Sequence, residues 1–447
     1  MTPHIPVDDA RPGLPDNPTT TAYAAFIQSK LRPDNDSGFP PEPFTAALYP
    51  FQEHVVEWAC RRGRSAVLAD CGLGKTPMQL EWARQVHEHT GDDVLILAPL
   101  AVSSQTAREG EKFHIPVTVC REREDIVDGV NITNYERVER FADHPWAAVV
   151  LDESSILKAF DGKTRRMLTE WAQTIPYRLC CTATPSPNDY EELGGHSEFL
   201  GVLNRKVMLA EFFINDGLAA AHWRLKGHAA GVYWKWVASW AHALLSPADL
   251  GYDDQGFDLP PLTVETVSVD ADAVSEDRLF AVPVATLLER RQARRESISE
   301  RVGIVAEMVN GSADPWVVWC DLNDESSALA RAIPDSVEVR GSDDPDDKER
   351  ALLAFTNGDA RVIVTKPSIA GWGLNWQHCA HVAFAGLSDS YEQYYQAVRR
   401  CWRFGQRNPV RVVIVASNRE QAVLENVRRK ERQAQAMFAD IVEAMRD

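Results

Sequence analysis

A glycine-rich loop offers the clearest chemistry in the sequence. The segment ADCGLGKT, residues 69–76, directly follows a short apolar run and opens a helical pattern. Glycines allow a backbone to wrap closely around phosphate groups, and a helix N-terminus adds N–H donors and a favourable dipole. In such a loop Lys75 would reach the β- and γ-phosphates of a nucleotide, and the Thr76 hydroxyl would bind Mg²⁺. The alternative is a glycine-rich helix cap that binds no ligand.

Two carboxylates follow at the end of another apolar run. Residues 147–151 read AAVVL, and the next four residues read DESS. Beside a phosphate-binding loop on the same predicted sheet, Asp152 would hold Mg²⁺ and Glu153 would orient or deprotonate an attacking water. Solvated acidic residues at a strand end are the ordinary alternative. Together with the loop, the pair predicts hydrolysis of a nucleoside triphosphate.

A basic segment near the C-terminus supplies candidate catalytic arginines. Residues 396–406 read QAVRRCWRFGQ, in which Arg400 and Arg403 are three positions apart. On a helix this spacing places both side chains on one face. We therefore expect them to present two guanidinium groups to a γ-phosphate bound on another domain, as arginine fingers. A solvated basic helix explains the segment equally well.

Two stretches of chain alternate short apolar runs with helical spacing, which predicts parallel sheets covered by helices on both faces. The first stretch has predicted strands at Ser65–Ala69, Val94–Ala98, Ala147–Leu151 and Leu179–Thr182, and predicted helices at Thr76–His87 and Lys163–Gln173. The second has predicted strands at Leu262–Val269, Trp316–Cys320, Arg361–Val364, Val382–Phe384 and Val410–Ala416, and predicted helices at Leu279–Val309, Glu325–Ala332, Asp347–Asn357 and Glu420–Asp447. The predicted fold is α/β, with two domains in tandem.

Pro- and Gly-rich segments divide the chain into four parts. We expect a partly irregular lead-in over residues 1–45, a first domain over 46–250, a linker over 251–261, and a second domain over 262–447 that ends in a C-terminal helix. Residues 190–246 read as a small, mostly helical appendage on the first domain. The tryptophans of that appendage could stack on bases, although packing in a core is favoured. They are Trp223, Trp234, Trp236 and Trp240.

Composition excludes several classes of protein. The 447 residues carry a net charge of −18, so binding of polyanions by bulk charge is excluded and any nucleic-acid contact needs a local basic groove. No apolar stretch is long enough to cross a membrane, and the N-terminus lacks the pattern of a signal peptide. The eight cysteines include no CxxC pair, which is typical of a reducing compartment. We expect a cytoplasmic protein with no membrane partner.

Taken together, the motifs resemble those of superfamily-two DEAD/DEAH-box-type helicases and translocases, and within them the Swi/Snf-like branch. The resemblance runs from about Leu48 to Ser417, with the motifs in the family's order. YPFQ at 49–52 is similar to the upstream adenine-reading motif, ADCGLGKT to the family's P-loop, and DESS occupies the DExx position. CTATPSPN at 181–188 is similar to the coupling motif, SIAGWGLNW at 368–376 to AGGxGxNL, and residues 396–406 fit QxxxRxxRxGQ.

The resemblance implies two RecA-like domains that bind ATP and Mg²⁺ in the cleft between them and move along nucleic acid. DNA is favoured over RNA, with largely sequence-independent binding. The implied catalytic residues are Lys75, Asp152, Glu153, Gln396, Arg400 and Arg403. The implied nucleotide-binding residues are Phe51, Gln52, Cys71, Gly72, Leu73, Gly74, Lys75, Thr76 and Gly373, and Thr76 and Asp152 would bind the metal.

The sequence departs from the family pattern at three places. The DExx box reads DESS rather than DEAD or DEAH, Trp372 replaces a glycine, and Arg399 stands where the branch usually has an acid. The compact length resembles members carried by phages or bacteria, in whose cytoplasm the protein would act. Three hypotheses follow: a DNA translocase or helicase, a DNA-bound nucleotide switch or scaffold with weak turnover, and a motor subunit of a restriction or recombination complex that needs a partner protein.

Overall fold

The computed structural model describes residues 37–99, 102–158, 162–215, 223–269, 295–371 and 374–446. Its first part contains a sheet of seven parallel strands in the order β3-β4-β2-β5-β6-β1-β9. These strands are β1 (Arg64–Ala69), β2 (Val94–Ala98), β3 (Val117–Val119), β4 (Val130–Asn134), β5 (Ala148–Asp152), β6 (Tyr177–Cys181) and β9 (Ala241–Leu244). The strands β7 (Phe213–Asn215) and β8 (Trp223–Leu225) form a separate antiparallel hairpin.

Helices cover both faces of the first sheet, and each face has its own apolar core. They are α1 (Pro50–Arg62), α2 (Lys75–Thr90), α3 (Ser103–Lys112), α4 (Lys163–Ala172), α5 (Leu193–Leu200), α6 (Arg205–Phe212) and α7 (Ala230–Ala238). Central strands such as β2 are buried along their whole length. Their continuous apolar sequence follows from this, because both faces of a parallel sheet are covered.

The second part contains a sheet of six parallel strands in the order β10-β15-β14-β11-β13-β12. The strands are β10 (Leu262–Val269), β11 (Trp316–Trp319), β12 (Ser336–Glu338), β13 (Val362–Thr365), β14 (His381–Phe384) and β15 (Val410–Ser417). The helices are α8 (Ile298–Asn310), α9 (Asn323–Ala332), α10 (Pro345–Thr356), α11 (Pro367–Ala370), α12 (Tyr391–Val398) and α13 (Gln421–Arg446). Two further cores lie on the two faces of this sheet.

The predicted α/β fold with two tandem RecA-like domains is confirmed. The predicted strand Val94–Ala98 matches β2, and the other predicted strands in the described residues agree within two residues. Of the predicted helix Leu279–Val309, the part up to residue 294 lies outside the described residues, and α8 covers the rest from Ile298. Most of the lead-in, residues 1–36, also lies outside them.

The segment 190–246 needs a correction. It was predicted as a mostly helical appendage, but β9 joins the first sheet beside β1 and is buried along its length. Trp234, Trp236 and Trp240 are buried in the core of the first domain, which supports the packing interpretation over base stacking. The helical prediction failed at β9 because its sequence, AHAL, follows the tryptophan-rich helix without a strong turn signal.

The C-terminal helix α13 packs against both domains. Val423, Leu424 and Val427 in its first half belong to the core of the second domain. Met437 and Phe438 in its second half belong to the core of the first domain, where the helix packs on α7 and β9. The sequence predicts this helix as the end of the second domain alone, and the structure shows that it packs in the cores of both domains. Among the described residues, no helix combines the length and apolar character needed to cross a membrane.

Candidate nucleotide-binding cleft

The glycine-rich loop connects the end of β1 to the start of α2. Gly72 and Gly74 have φ values of +95° and +79°, in the region that favours glycine. The Lys75 ammonium donates to the carbonyl oxygens of Ala69 at 2.7 Å and Asp70 at 3.2 Å, so it lies within the turn of the loop. The strand–loop–helix arrangement predicted for a phosphate-binding loop is therefore present.

Gln52 connects the upstream motif to this loop. Its side-chain amide donates to the Leu73 carbonyl at 2.9 Å, and its Oε1 accepts from the Tyr49 N–H at 3.0 Å. A Cβ atom on Gly74 would lie 2.2 Å from Gln52 Nε2, so a larger residue there would displace the Gln52 side chain from the loop. The neighbouring Phe51 ring is buried against Phe257, with ring centroids 5.2 Å apart. Phe51 therefore supports α1 from within the core and offers no exposed ring face to a base.

The two carboxylates lie at the end of β5. Glu153 has a φ of +64°, an uncommon conformation for a residue with a side chain, and such strain concentrates at functional sites. Its Oε1 accepts the Thr182 hydroxyl from the coupling motif. Its Oε2 accepts the Gln396 side-chain amide from the second domain at 3.3 Å. Glu153 is therefore oriented by groups from both domains.

The surroundings of the Asp152 carboxylate are those expected for a metal ligand. Its pKa is raised to about 6, chiefly by burial and next by the charge of Glu153, while the Gln79 side chain and the charge of Lys75 act to lower it. Its backbone carbonyl accepts the Tyr135 hydroxyl at 2.8 Å, which fixes the end of the strand. A carboxylate and a hydroxyl are the oxygen ligands that Mg²⁺ prefers, so Asp152 and Thr76 fit this ion chemically.

The two candidate arginine fingers follow α12 rather than lying on it. The helix ends at Val398, so the prediction that they share a helix face was wrong. They nevertheless converge, because Arg400 donates to the Leu374 carbonyl at 2.8 Å and Arg403 donates to it at 3.3 Å. Burial and the neighbouring Arg403 lower the pKa of Arg400 to about 10. The candidate Gly373 lies outside the described residues.

Arg400 reaches the carboxylates through Gln396. Its guanidinium donates to the Gln396 backbone carbonyl at 3.1 Å and to Gln396 Oε1 at 2.9 Å. The same Gln396 side chain donates to Glu153. A hydrogen-bonded chain therefore runs from the candidate finger, through Gln396, to the candidate water-orienting carboxylate.

Sequence reasoning missed several charged and polar residues at this cleft. Asp70 accepts hydrogen bonds from Tyr395 and Arg399, and Lys158 forms an ion pair with Glu392. The spacing of 392, 395 and 399 could have shown that three of them lie on one side of α12 and of the residue that follows it. No signal in the sequence shows which residues that face meets.

Comparisons with known proteins agree with this geometry. Residues 51–206 match the SNF2-related domain, and residues 301–405 match the helicase conserved C-terminal domain. The "DNA annealing helicase and endonuclease ZRANB3" of Homo sapiens is 22% identical over 438 residues, which cover 86% of this chain and 40% of that protein. The protein of the same name from Mus musculus is 23% identical over 435 residues, covering 85% and 39%.

The chain thus spans about two-fifths of the length of these curated relatives. The two matched domains each contain one half of the cleft: the loop and the carboxylates lie in the first, and Gln396, Arg400 and Arg403 lie in the second. Their order along the chain is the order of the family. The chain therefore belongs to the Swi/Snf-like branch of superfamily two.

Proposed function

We propose that the protein hydrolyses ATP in the cleft between its two domains and uses the hydrolysis to move along DNA. The observation that supports this best is the environment of Glu153. The carboxylate is held by Thr182 from its own domain and by Gln396 from the other, at a strained backbone position. A group that orients an attacking water needs a fixed position, and Glu153 has its hydrogen bond with Gln396 only while the cleft is closed.

Each residue of the cleft has a role in this proposal. The loop N–H groups and Lys75 bind the phosphates, and Gln52 holds the loop against α1. Thr76 and Asp152 hold Mg²⁺, which when bound neutralises phosphate charge. Glu153 orients the water. Arg400 and Arg403 stabilise the charge that develops on the γ-phosphoryl oxygens.

DNA is the proposed track because the matched relatives are named as DNA annealing helicases. Contacts of such motors are mostly to phosphate, so binding should be salt-sensitive and largely independent of sequence. In the experiment below, stronger stimulation by duplex than by single-stranded DNA would favour movement along duplex without unwinding. Action in a bacterial or phage-infected cytoplasm and the need for a partner protein stay predictions.

The test is the steady-state ATPase rate without polymer and with single-stranded DNA, duplex DNA or RNA. We expect strong stimulation by DNA, and loss of turnover in Lys75→Ala and Glu153→Gln. Lys348→Ala is the matched control, because its ammonium caps the Gly341 carbonyl at an exposed position. Glu153→Gln should still bind ATP, since the phosphate-binding loop is intact.

The alternatives give different results. A slow rate that no polymer changes would favour the nucleotide switch or a motor that waits for a partner. Stimulation by RNA alone would replace the proposed track. Normal turnover in Lys75→Ala would refute the assignment of the loop.

A further inference from the structure

One face of α12, together with Arg399 directly after the helix, meets the first domain at three places about one helical turn apart. Glu392 pairs with Lys158, which follows the carboxylate motif. Gln396 donates to Glu153. Tyr395 and Arg399 both bind the Asp70 carboxylate, directly after β1. The first two contacts lie at the carboxylate side of the cleft, and the third lies at the phosphate-binding loop.

Both oxygens of the Asp70 carboxylate accept hydrogen bonds. Oδ1 accepts the Cys71 N–H of its own loop at 2.6 Å and also the Tyr395 hydroxyl. Oδ2 accepts the Arg399 guanidinium at 2.5 Å. Asp70 and Arg399 are each 8% exposed, so this is a buried charge pair. A single carboxylate therefore connects the phosphate-binding loop to the second domain.

Arg399 is also fixed on its other side. Its guanidinium carbon lies 4.2 Å from the centre of the Trp402 ring and 5.2 Å from that of Tyr395, which are cation–π distances. A position beside two aromatic rings suits a guanidinium better than an ammonium. The position is the one where the Swi/Snf-like branch usually has an acid. An acid there would face Asp70 with like charge. The pair therefore depends on the arginine that this chain has in place of the acid.

We propose that Asp70, Tyr395 and Arg399 form an interdomain bridge that positions the arginine fingers against the phosphate-binding loop. Arg399 immediately precedes Arg400 in the turn after α12. Fixing Arg399 on Asp70 therefore fixes the start of the turn that carries both fingers. These three are positioning residues that act through Arg400 and Arg403. The inference rests on the proposed ATP hydrolysis and adds to it the groups that set the closed geometry.

The test is a double-mutant cycle with Asp70→Asn, Arg399→Gln and the double variant, measured as DNA-stimulated kcat and as KM for ATP. We expect each single change to lower kcat about 10- to 100-fold while KM changes less than about threefold. The double variant should be no slower than the slower single, because both changes remove the same bridge. Arg399→Lys should restore part of kcat, because it keeps the charge but loses the guanidinium contacts with the two rings.

Two controls separate this bridge from folding and from the proposed function. Arg350→Gln removes an exposed ion pair to Asp347 and should leave kcat unchanged. Thermal unfolding of each variant identifies those that are not folded, and Tyr395→Phe then tests the bridge through its hydroxyl alone. Full kcat in folded Arg399→Gln, a multiplicative double variant, or an effect on KM alone would each overturn the bridge. If the wild type shows no turnover that depends on Lys75, the proposed function fails instead.

Discussion

Replacing Gly72 by alanine should block the closed cleft. Gly72 has a φ of +95°, and an added Cβ atom would lie 2.8 Å from the Phe404 nitrogen and 3.0 Å from the Phe404 Cβ atom of the second domain. Ordinary contacts of a Cβ atom begin near 3.4 Å. One of these neighbours is backbone, so the second domain must move away by about half an ångström or more. A misplacement of about 1 Å at a catalytic site can reduce the rate about 100-fold.

We therefore expect Gly72→Ala to lower DNA-stimulated kcat about 10- to 100-fold. The backbone strain adds a loss of roughly 1–2 kcal/mol in the free energy of unfolding, because alanine is disfavoured at positive φ. Gly91→Ala is the matched control. Gly91 has a φ of +74° at the end of α2, and its Cβ atom would meet nothing within 4 Å. It should lose similar stability and keep its kcat.

The assay is ATP turnover with DNA over a range of ATP concentrations, beside urea unfolding of both variants. A fall in kcat with ATP affinity largely kept in Gly72→Ala alone would support a blocked closure. Equal losses of kcat in both variants would show that backbone strain, and not the contact with Phe404, is responsible. Normal kcat with weakened ATP binding would show that the alanine disturbs the phosphates and leaves closure intact.

Three further outcomes are expected. Phe438→Ala should lower the free energy of unfolding by about 3–5 kcal/mol, since its buried ring packs in the core of the first domain beside a cavity of about 400 Å³. Leu424→Ala, in the first half of α13, should instead weaken the second domain. Hydrogen exchange measured separately for each sheet would distinguish the two effects. Burial lowers the pKa of His196 to about 4 and that of His242 to about 3. As the pH drops from about 6.5 towards 4, these two imidazoles are protonated in the unfolded chain before they are protonated in the folded protein, so the free energy of unfolding falls. His242→Phe should reduce this loss by up to about 1.4 kcal/mol per pH unit in urea unfolding, and an unchanged slope would contradict the assignment. Ser154→Ala should cost about 1–3 kcal/mol of stability, because it leaves the buried His196 Nε2 without the hydroxyl 3.1 Å away; an unchanged unfolding midpoint would contradict this.

The elements that could be predicted from the sequence are those whose pattern follows from local burial. The strand at Val94–Ala98 is apolar throughout because both faces of a parallel sheet are covered, and its bounds were predicted correctly. The glycine-rich loop was placed correctly because its glycines, lysine and threonine follow one another in the chain. The strand β9 was missed because four residues after a tryptophan-rich helix carry too little pattern to distinguish strand from helix.

Contacts between distant parts of the chain could not be predicted. Asp70 and Arg399 are 329 residues apart, and only the closed arrangement of two domains brings them together. The departure at Arg399 was visible in the sequence, but its partner was not. The surroundings of the two serines in DESS could not be predicted either. Ser154 and Ser155 are buried, and Ser154 forms a hydrogen bond with His196 of α5 rather than facing the cleft.

The helix α13 limits how the two domains can move apart. Its second half buries Met437, Phe438, Ile441 and Val442 in the core of the first domain, while its first half stays in the core of the second. Undocking these four side chains would cost about 6–12 kcal/mol, at about 1.5–3 kcal/mol each, so a detached state would occur in fewer than about one molecule in 10⁴. The contacts at Asp70 and Glu153 are few and polar by comparison. Cleft opening should therefore break those contacts, including the one from Gln396 that helps to orient Glu153, while α13 stays docked at both ends.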